Sequence, residues 1–401
     1  MYNIRLADYV PEPKPVTGDY LVCAHYYAAW KKGAARLHNG FDDLHDYPER
    51  TPLMGYYDEE NPEVCDWEIK WAVEHGINCF IHCWYRNKEN EGKPITVKDL
   101  RCAHDLHEAL FNARYQKYMK FAIMYEASKR WGGTNAQDLR EHLMPFWMEN
   151  YFQRDNYLLL DGKPVLFVYD TWNQVRDAFT PEEQKAAFDE CREYAIRKGF
   201  KGMIFALMNN TMDPAEQADI YARGYDFRFS YSLPREEQRR LPPEAEMLEE
   251  HKRILEKHVK DDPMRYTMTV CCFRDSEPRR TKAWVDQGFN FKPEYEWYLS
   301  PESFRQVVRY CRELAEKLPE GAIGKRIIMV DNWNEWDEGH FVSPSCGYGF
   351  KYLQAIREEL TRRDNLPDYR LPQELGLGGY NTSWEIPDFT GVSRKDWYAL
   401  R

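Results

Sequence analysis

The sequence predicts a (β/α)8 TIM barrel with long βα loops and a C-terminal extension. Eight short runs rich in aliphatic and aromatic residues recur along the chain, and segments of mixed polar and apolar periodicity separate them. The runs are apolar throughout, as in parallel sheets that helices cover on both faces. A doubly wound open sheet is the alternative, but "YYAAWKKGAARL" after the first run lacks the glycine-rich phosphate turn that such sheets usually show.

The predicted strands and helices alternate in chain order. The strand candidates are 20–27, 77–85, 119–126, 163–170, 201–208, 225–232, 265–272 and 325–333. The helix candidates lie near 61–75, 98–117, 136–152, 181–198, 214–223, 244–259, 301–317 and 348–363. Two long insertions, 28–60 and 273–300, leave the carboxyl ends of the first and seventh strands, where barrel enzymes build their sites. The tail 364–401 keeps Tyr and Trp anchors among Pro and Gly, so we expect it to wrap the barrel within a single domain spanning 1–401.

Composition narrows the choice of partner. The chain has 55 Lys and Arg against 66 Asp and Glu, and this net charge of −11 has the wrong sign for binding a nucleic acid backbone. Aromatic residues make up 15% of the chain, and flat rings suit the faces of sugars, which favours an oligo- or polysaccharide substrate. No apolar run reaches the roughly 18 residues needed to span a bilayer, so we expect no membrane partner. Nothing in the sequence indicates a cofactor.

The N-terminus and the cysteines indicate a reducing compartment. The first twenty residues show no basic start followed by an apolar block and a small-residue cleavage site, which predicts a cytoplasmic protein unless a leader has been removed. The ten cysteines are scattered, and several lie inside apolar runs, as reduced core thiols do. "CFIHC" at 79–83 suggests a zinc site, but in a strand His82 faces away from Cys79 and Cys83, so we predict no metal.

The stretch "VDNWNEWDEGH", residues 330–340, places Glu335 and Glu338 three residues apart after the eighth strand. On a helical turn such positions share one face, with Cβ atoms about 5 to 6 Å apart. Retaining glycosidases hold their two carboxyl groups about 5 to 5.5 Å apart, whereas inverting ones need about 6.5 to 9.5 Å. Two close carboxyls also separate in pKa, so that one can act as the acid. The alternative is an ordinary helix start, where acidic residues are favourable.

Several stretches resemble the glycoside hydrolase family 99-like proteins, including the group labelled WbsX. "NWNEWDEGHFVSP" is similar to their N-x-W-N-E-W-x-E-G-T-x-x-E-P signature, and "GYGFKYLQAI" to its continuation. "AHYYAAW", "PLMGYYDEENPEVCDWEIKWAVEHGINCFIHCWY" and "YLLLDGKPVLFVYD" resemble the first-strand, second-strand and fourth-strand motifs in the same order. "FRDSEPRRTKAW" resembles the W-D-N-x-P-R loop of the WbsX group. The resemblance runs from about residue 20 to residue 360.

This resemblance implies a (β/α)8 barrel, a retaining mechanism and activity on α-mannosides. In the family the 2-hydroxyl of the substrate attacks the anomeric carbon. Carried onto this chain, Glu335 is the base that deprotonates that hydroxyl, and Glu338 is the acid that protonates the leaving oxygen and then activates water. The chain departs from the family pattern in the proline missing from "YYAAW", in "MYEASKRWGG" after the third strand, and at His340 and Phe341. These departures predict altered substrate contacts, so mannose specificity does not follow.

The remaining candidates for substrate binding sit at predicted strand ends or in the family-like loops. Aromatic rings there would stack on a sugar, acids would accept from its hydroxyls, and an arginine could grip a carboxylate or sulfate. For each of them, packing at the rim or a loop ion pair is the alternative. They are Tyr26, Tyr27, Trp84, Tyr125, Glu126, Asp170, Tyr231, Asp275, Arg279, Asn334, Trp336 and His340.

Three functions compete. The first is a glycoside hydrolase acting on an α-linked glycan, and the second is a glycosyltransferase of polysaccharide biosynthesis, as WbsX-type relatives are labelled. A nucleotide-sugar transferase commonly needs a D-x-D metal site or basic groups for the diphosphate, and D-x-D occurs nowhere in the chain. The third is a carbohydrate-binding module without catalysis, which the presence of both glutamates in the family context disfavours.

Overall fold

Eight parallel strands form the centre of the computed structural model, which describes residues 6–33, 40–128, 131–171, 173–233, 239–281, 285–286, 288 and 291–386. Each strand lies inside one of the predicted apolar runs. They are β1 (Leu21–Tyr26), β2 (Cys79–Trp84), β3 (Lys120–Glu126), β4 (Lys163–Tyr169), β5 (Ile204–Met208), β6 (Phe227–Phe229), β7 (Thr269–Cys271) and β8 (Ile327–Asp331).

The strands close into a barrel. Hydrogen-bonded neighbours follow the order β6-β5-β4-β3-β2-β1-β8-β7, and every pair in this order is parallel. The remaining seam, between β6 and β7, is joined by one parallel bridge between Arg228 and Tyr266. Two backbone bonds flank it, from Arg228 N to Arg265 O at 2.7 Å and from Thr267 N to Arg228 O at 2.9 Å. The predicted (β/α)8 barrel is confirmed.

Among the described residues, six α-helices have nine or more residues, and each matches a predicted helix. They are α1 (Pro62–Glu74), α2 (Pro181–Arg197), α3 (Pro214–Ala222), α4 (Glu244–Asp261), α5 (Pro301–Lys317) and α6 (Lys351–Leu360). In α1, α2, α3 and α5 a capping side chain precedes a proline at the first helical position. The cap satisfies a free N–H of the first turn, and proline has no N–H there to leave unpaired. These starts are therefore readable from sequence.

Two predicted helices are distorted. Instead of one helix over 98–117, the chain makes short turns at Asp105–Ala109, Leu110–Asn112 and Gln116–Tyr118. The carboxylate of Asp66 in α1 accepts the backbone N–H groups of Arg114 and Tyr115, which takes them away from helical bonding. The segment 136–152 is helical but widens into π turns at Leu139–Leu143 and Met148–Phe152, around Pro145, which has no N–H to donate.

The insertions and the tail pack against the barrel mouth. Buried Arg50 of the first insertion pairs with the Asp275 carboxylate of the second at 2.7 Å and donates to the Trp336 carbonyl at 3.2 Å. In the tail, the Trp384 indole N–H contacts the carbonyls of Trp30 and Tyr57 at 3.2 and 2.9 Å. Parts of the predicted insertions and tail (34–39, 282–284, 287, 289–290 and 387–401) lie outside the described residues.

The cysteines and the helices bear on the compartment and membrane predictions. All ten cysteines are free thiols, and nine are buried, as expected for core thiols. Within the described ranges, no helix combines the length and the apolar character that crossing a bilayer requires.

The packing of Trp384 generates a stability prediction. The side chain is 6% exposed, and its ring packs edge-on against Phe41 at 5.4 Å between centroids. We expect Trp384→Ala to lower the free energy of unfolding by about 3–5 kcal/mol, because it removes a buried aromatic side chain and the N–H donor to the Tyr57 carbonyl. Leu366→Ala is the control, since Leu366 is 84% exposed and should change stability by less than about 0.5 kcal/mol. Equal denaturation midpoints for the two variants would contradict the docking of the tail.

Candidate active site

The two glutamates lie on a tight hairpin after β8, not on a helical turn. The two-residue strands Asn334–Glu335 and His340–Phe341 pair antiparallel, with Glu335 opposite His340. Gly339 closes the turn with a φ of +75°, and a Cβ there would lie 2.9 Å from the backbone nitrogen of Asp275. The chain therefore needs glycine at this position, both for its backbone angle and for the close approach of the second insertion.

The hairpin brings both carboxylates to one histidine. Nε2 of His340 lies 2.9 Å from Oε2 of Glu338 and 3.1 Å from Oε2 of Glu335. One oxygen from each glutamate and a ring nitrogen of His340 all lie within 4.8 Å of one another. The two carboxylates therefore lie close together, although they lie on a hairpin and not on a helical turn.

Arg279, from the loop after β7, connects the pair from the other side. Its guanidinium binds Asp337 through Nε at 2.9 Å and through NH2 at 2.8 Å. NH2 also donates to Oε1 of Glu335 at 3.0 Å, and NH1 donates to Oε1 of Glu338. Asp337 is fully buried. Because Asp337 fixes the plane of the guanidinium, the remaining donors point at both glutamates. Sequence reasoning identified Arg279 but missed Asp337.

The charges around Glu338 hold it as a carboxylate. Burial alone would raise the pKa of Glu338, but the nearby Arg279, Arg274 and His340 outweigh burial and lower it. Burial would likewise lower the pKa of His340, yet the carboxylates of Asp331 and Glu335 raise it well above 6.5. Arg274 contributes from the rim, where its NH2 lies 3.5 Å from Glu338 and its side chain is 34% exposed. The resting site therefore pairs an imidazolium with two carboxylates.

Glu335 receives two further donors. The Tyr231 hydroxyl donates to Oε2 of Glu335, and Nδ2 of Asn332 lies 3.2 Å from the same oxygen. Asn332 also donates to the Tyr231 oxygen at 2.7 Å, which orients the phenol. Burial raises the pKa of Tyr231 well above 10, with Glu335 adding to the shift, so the hydroxyl keeps its proton and remains a donor.

Three predicted residues border this cluster. Tyr27 places its ring 5.5 Å from the Arg279 guanidinium carbon, and Tyr231 is half-buried at the mouth. Glu126 ends β3 in register with Tyr169 at the end of β4, and the Glu126 carboxylate adds to burial in raising the pKa of Tyr169. Tyr169, also half-buried, packs edge-on against Tyr231 at 5.4 Å. Tyr169 is thus a rim aromatic that was not among the predicted binding residues.

Four predicted binding residues contact the helical layer or nearby backbone groups and not the cluster of Glu335, Glu338 and His340. The Tyr26 hydroxyl donates to Glu68 in α1 at 2.8 Å, and the Trp84 indole donates to Tyr151 at 3.0 Å. Tyr125 packs on the rings of Trp84 and Trp147. Asp170 accepts the backbone N–H groups of Gln174 and Val175, at the start of the short helix Gln174–Ala178. Successive strand residues face opposite sides, so only one of each adjacent pair can reach the cavity.

Three others support the hairpin from behind. Asn334 donates to Glu59 at 3.2 Å and accepts the Tyr27 backbone N–H at 2.8 Å. Trp336 is fully buried and donates to the Tyr57 hydroxyl at 3.3 Å. Asp275 pairs with Arg50, and its backbone N–H donates to the Glu338 carbonyl at 2.7 Å. These residues position the glutamates and do not line the space between them.

The cluster of Glu335, Glu338 and His340 has the spacing of a cation site. However, the guanidinium of Arg279 donates directly to both carboxylates, and His340 has a raised pKa. A metal would have to bind beside two positive groups and displace both from their acceptors. The chemistry of this donor set therefore suits proton transfer better than metal ligation.

The lowered pKa of Glu338 generates a pH prediction. The unfolded carboxyl has a pKa near 4.5 and the folded one lies below it, so the stabilisation is present at neutral pH and is lost as pH falls below about 4.5. We expect the unfolding free energy of the wild type to fall more steeply in acid than that of Glu338→Gln, by up to about 1.4 kcal/mol per pH unit. Denaturant titrations from pH 7 to pH 3 measure this, with exposed Glu149→Gln as control. Parallel curves for wild type and Glu338→Gln would contradict it.

Comparisons with known proteins identify the family and the fold. The sequence model of the family described as "Glycosyltransferase WbsX" matches residues 27–356. The protein WxcX of Xanthomonas campestris pv. campestris, from strain B100 and again from strain ATCC 33913, is 23% identical over 380 residues. That match covers 89% of this chain and 49% of the relative, so the chain spans about half the length of the curated relatives it matches.

Solved structures show the same fold. A GH99 endo-α-mannosidase from Bacteroides thetaiotaomicron, in complex with Bis-Tris propane, superposes with a TM-score of 0.55 at 16% identity, over 85% of this chain and 96% of that one. A structure titled "Glycoside hydrolase-like protein" gives a TM-score of 0.56 at 16% identity, over 88% of this chain and 98% of that one. At such identity the likeness concerns the barrel fold alone. On the match to its sequence model, the chain belongs to the WbsX family, and it has the barrel fold of the GH99 enzymes.

Proposed function

We propose that the protein is a glycoside hydrolase that cleaves α-linked glycosidic bonds with retention of configuration. The observation that carries the proposal is the convergence of Glu335 and Glu338 on His340 and Arg279 at the barrel mouth. Both glutamates are more than nine-tenths buried, so they act in a largely water-excluded environment. Two carboxyl groups held this close are compatible with retention of configuration, whereas inverting glycosidases need room for a water molecule between them.

Glu335 is the base in this proposal. Four side chains surround its oxygens: Arg279, Tyr231, Asn332 and His340. They hold the carboxylate in one orientation, so that it can take the proton of the substrate's 2-hydroxyl as that oxygen attacks the anomeric carbon. No enzyme nucleophile is needed, because the sugar supplies it. The retained configuration then follows from two successive displacements at the same carbon.

Glu338 is the acid and later the base that activates water. It protonates the leaving oxygen in the first step and accepts a proton from the attacking water in the second. Its environment favours the carboxylate before reaction, so a proton must reach it when the substrate is bound. The substrate class is an α-linked oligo- or polysaccharide that resembles an α-mannoside, with the rings of Tyr27, Tyr169 and Tyr231 near the cleavage point.

The alternative is a glycosyltransferase of polysaccharide biosynthesis, which the description of the matching family favours. A transferase that uses a nucleotide sugar must neutralise a diphosphate. Near the glutamates, three carboxylates bind the guanidinium of Arg279. Arg274 is the other described arginine that contacts Glu338, and it lies at the rim. D-x-D is absent from the sequence. The site is therefore better suited to hydrolysis than to binding a diphosphate.

Replacing either glutamate tests the proposal. We expect Glu335→Gln and Glu338→Gln each to lower the release of sugar from α-linked oligosaccharides by about 10²–10⁴-fold, because each removes a proton-transfer group. Binding of the same sugars, measured by calorimetry, should remain. Exposed Glu149→Gln is the matched control and should keep full turnover. NMR of the first-formed product gives the anomeric configuration, which we expect to be retained.

Two results would contradict the hydrolase proposal. One is unchanged turnover in both glutamine variants, which would place the chemistry elsewhere. The other is no release from any α-linked glycan, together with glycosyl transfer once a nucleotide-sugar donor is added, which would establish the transferase instead.

A matched pair of tyrosines tests the orientation of the strand ends. Tyr231 follows β6 and donates to Glu335, whereas Tyr125 in β3 faces the helical layer. We expect Tyr231→Phe to lower kcat/KM about 10–100-fold, because a hydrogen bond to a charged group contributes about 1.5–3 kcal/mol. Tyr125→Phe should change kcat/KM less than about threefold. Equal effects of the two substitutions would show that Tyr231 acts only through packing.

A further inference from the structure

A line of buried polar groups runs from the barrel interior to the catalytic pair. It starts at His25 in β1, passes through Asp331 at the end of β8 and His340 in the hairpin, and ends at Glu338. The side chains of His25, Asp331 and His340 are fully buried. Nδ1 of His25 lies 3.4 Å from Oδ1 of Asp331, and Nδ1 of His340 lies 3.1 Å from Oδ2 of Asp331.

The contacts of His340 indicate which of its ring nitrogens carry protons. Its Nδ1 faces the carboxylate of Asp331, and its Nε2 faces the carboxylates of Glu335 and Glu338. A neutral imidazole has one N–H and one lone pair, so it would direct the lone pair at a carboxylate on one side. Only the imidazolium donates on both sides. The acceptors on opposite edges of the ring therefore select the protonated form.

Asp331 is held in place as the anchor of this line. Its Oδ2 accepts the backbone N–H of Ser232 at 2.6 Å and the thiol of Cys271 at 3.4 Å, besides facing His340. Burial would raise the pKa of Asp331, but the neighbouring His340 and His25 lower it well below its ordinary range. Asp331 thus stays a carboxylate and does not take the proton from His340.

The other groups near His340 come from the segments that follow β6 and β7. The ring of Tyr231, after β6, packs edge-on at 5.5 Å between centroids, and Cys272, after β7, contacts the hairpin through the Phe341 carbonyl. Arg279 and Arg274, from the loop after β7, lie on the far sides of the glutamates. Both arginines bind Glu338, so they disfavour its protonation while the imidazolium stays beside it. In the resting site the proton therefore resides on His340.

We propose that His340 stores the proton that Glu338 delivers to the leaving group, so that the acid is a shared pair and not Glu338 alone. This inference rests on the proposed hydrolase function. It also explains how Glu338 can act as an acid although the resting site keeps its side chain ionised. The family proteins that the chain resembles frequently have threonine at the position of His340. Threonine could not store a proton, so the pair of His340 and Glu338 is a feature of this chain's own sequence.

The proton steps balance. As the C–O bond to the leaving sugar breaks, Nε2 of His340 passes its proton to Oε2 of Glu338, and Glu338 passes a proton to the leaving oxygen. Glu335 takes the proton of the 2-hydroxyl as that oxygen bonds to the anomeric carbon. In the second step water attacks the same carbon as the bond from that carbon to the 2-oxygen breaks. Glu338 takes a proton from the water and returns one to His340, and Glu335 returns its proton to the 2-oxygen. No redox partner or further reactant is needed.

Leaving-group dependence separates proton supply from structural support. His340→Gln keeps an N–H donor but has no transferable proton. We expect it to cleave an α-manno-oligosaccharide at least about 100-fold more slowly than the wild type. Cleavage of the matching α-manno-oligosaccharyl fluoride, whose leaving group needs little protonation, should change less than about threefold. His251→Gln is the control, because His251 is a buried histidine in α4 whose Nδ1 bonds the Met247 carbonyl.

The outcomes separate the two proposals. Equal losses on both substrates for His340→Gln would overturn the proton-storage role and leave the hydrolase standing. A wild type that releases sugar from no α-linked oligosaccharide and from no α-glycosyl fluoride would overturn the hydrolase and with it the role of His340 in protonating a leaving sugar. Retained fluoride cleavage with lost oligosaccharide cleavage supports both.

NMR of protein labelled with ¹⁵N-histidine measures the proton directly and does not depend on turnover. His340 is assigned by the signal that disappears in His340→Gln. We expect both of its ring nitrogens to carry protons at pH 8 in the wild type, and Asp331→Asn to move its titration to lower pH. A neutral His340 ring at pH 7 in the wild type would overturn the inference, whatever the activity.

Discussion

The site depends on two cations, Arg279 and His340, that hold four acidic side chains together within a small buried volume. Asp331, Glu335, Asp337 and Glu338 are all more than nine-tenths buried. Isolated charges cannot be buried in this way, since desolvation costs several kcal/mol per ion unless partners restore it. Arg279 and His340 are those partners, and between them they contact all four. Removing either cation would leave carboxylates that repel one another.

This electrostatic requirement determines the loops. Arg279 comes from the loop after β7 and the acids from the hairpin after β8, so the two loops must be held at a defined distance. Arg50 of the first insertion contacts both, through the Asp275 carboxylate and the Trp336 carbonyl. Gly339 lets their backbones approach closely. The long insertions therefore do more than cover the mouth, because they set the positions of the charges.

The same barrel architecture serves enzymes with many chemistries, so the function must be argued from the site. Here Arg279 and His340 bind acidic side chains of the protein itself. The glutamates and the histidine between these contacts are suited to transferring protons. This arrangement favours the hydrolase over the transferase suggested by the description of the WbsX family. His340 extends the argument, since it links the catalytic pair to a buried carboxylate that also belongs to the barrel.

The barrel, most helix boundaries and the proximity of Glu335 to Glu338 could be predicted from the sequence alone. Apolar runs, capping residues before prolines and a local motif are short-range signals, and short-range signals survive in a linear chain. The sequence did not determine which strand-end residues face the cavity: Tyr26, Trp84, Tyr125 and Asp170 were placed in the site, and Tyr169, Asp331 and Asp337 were missed. Adjacent strand residues look alike in sequence, yet the pleat sends them to opposite sides. The side to which each of these residues points, and the ion pairs of Arg279, can be seen only in the folded structure. Both depend on contacts between segments that lie far apart along the chain.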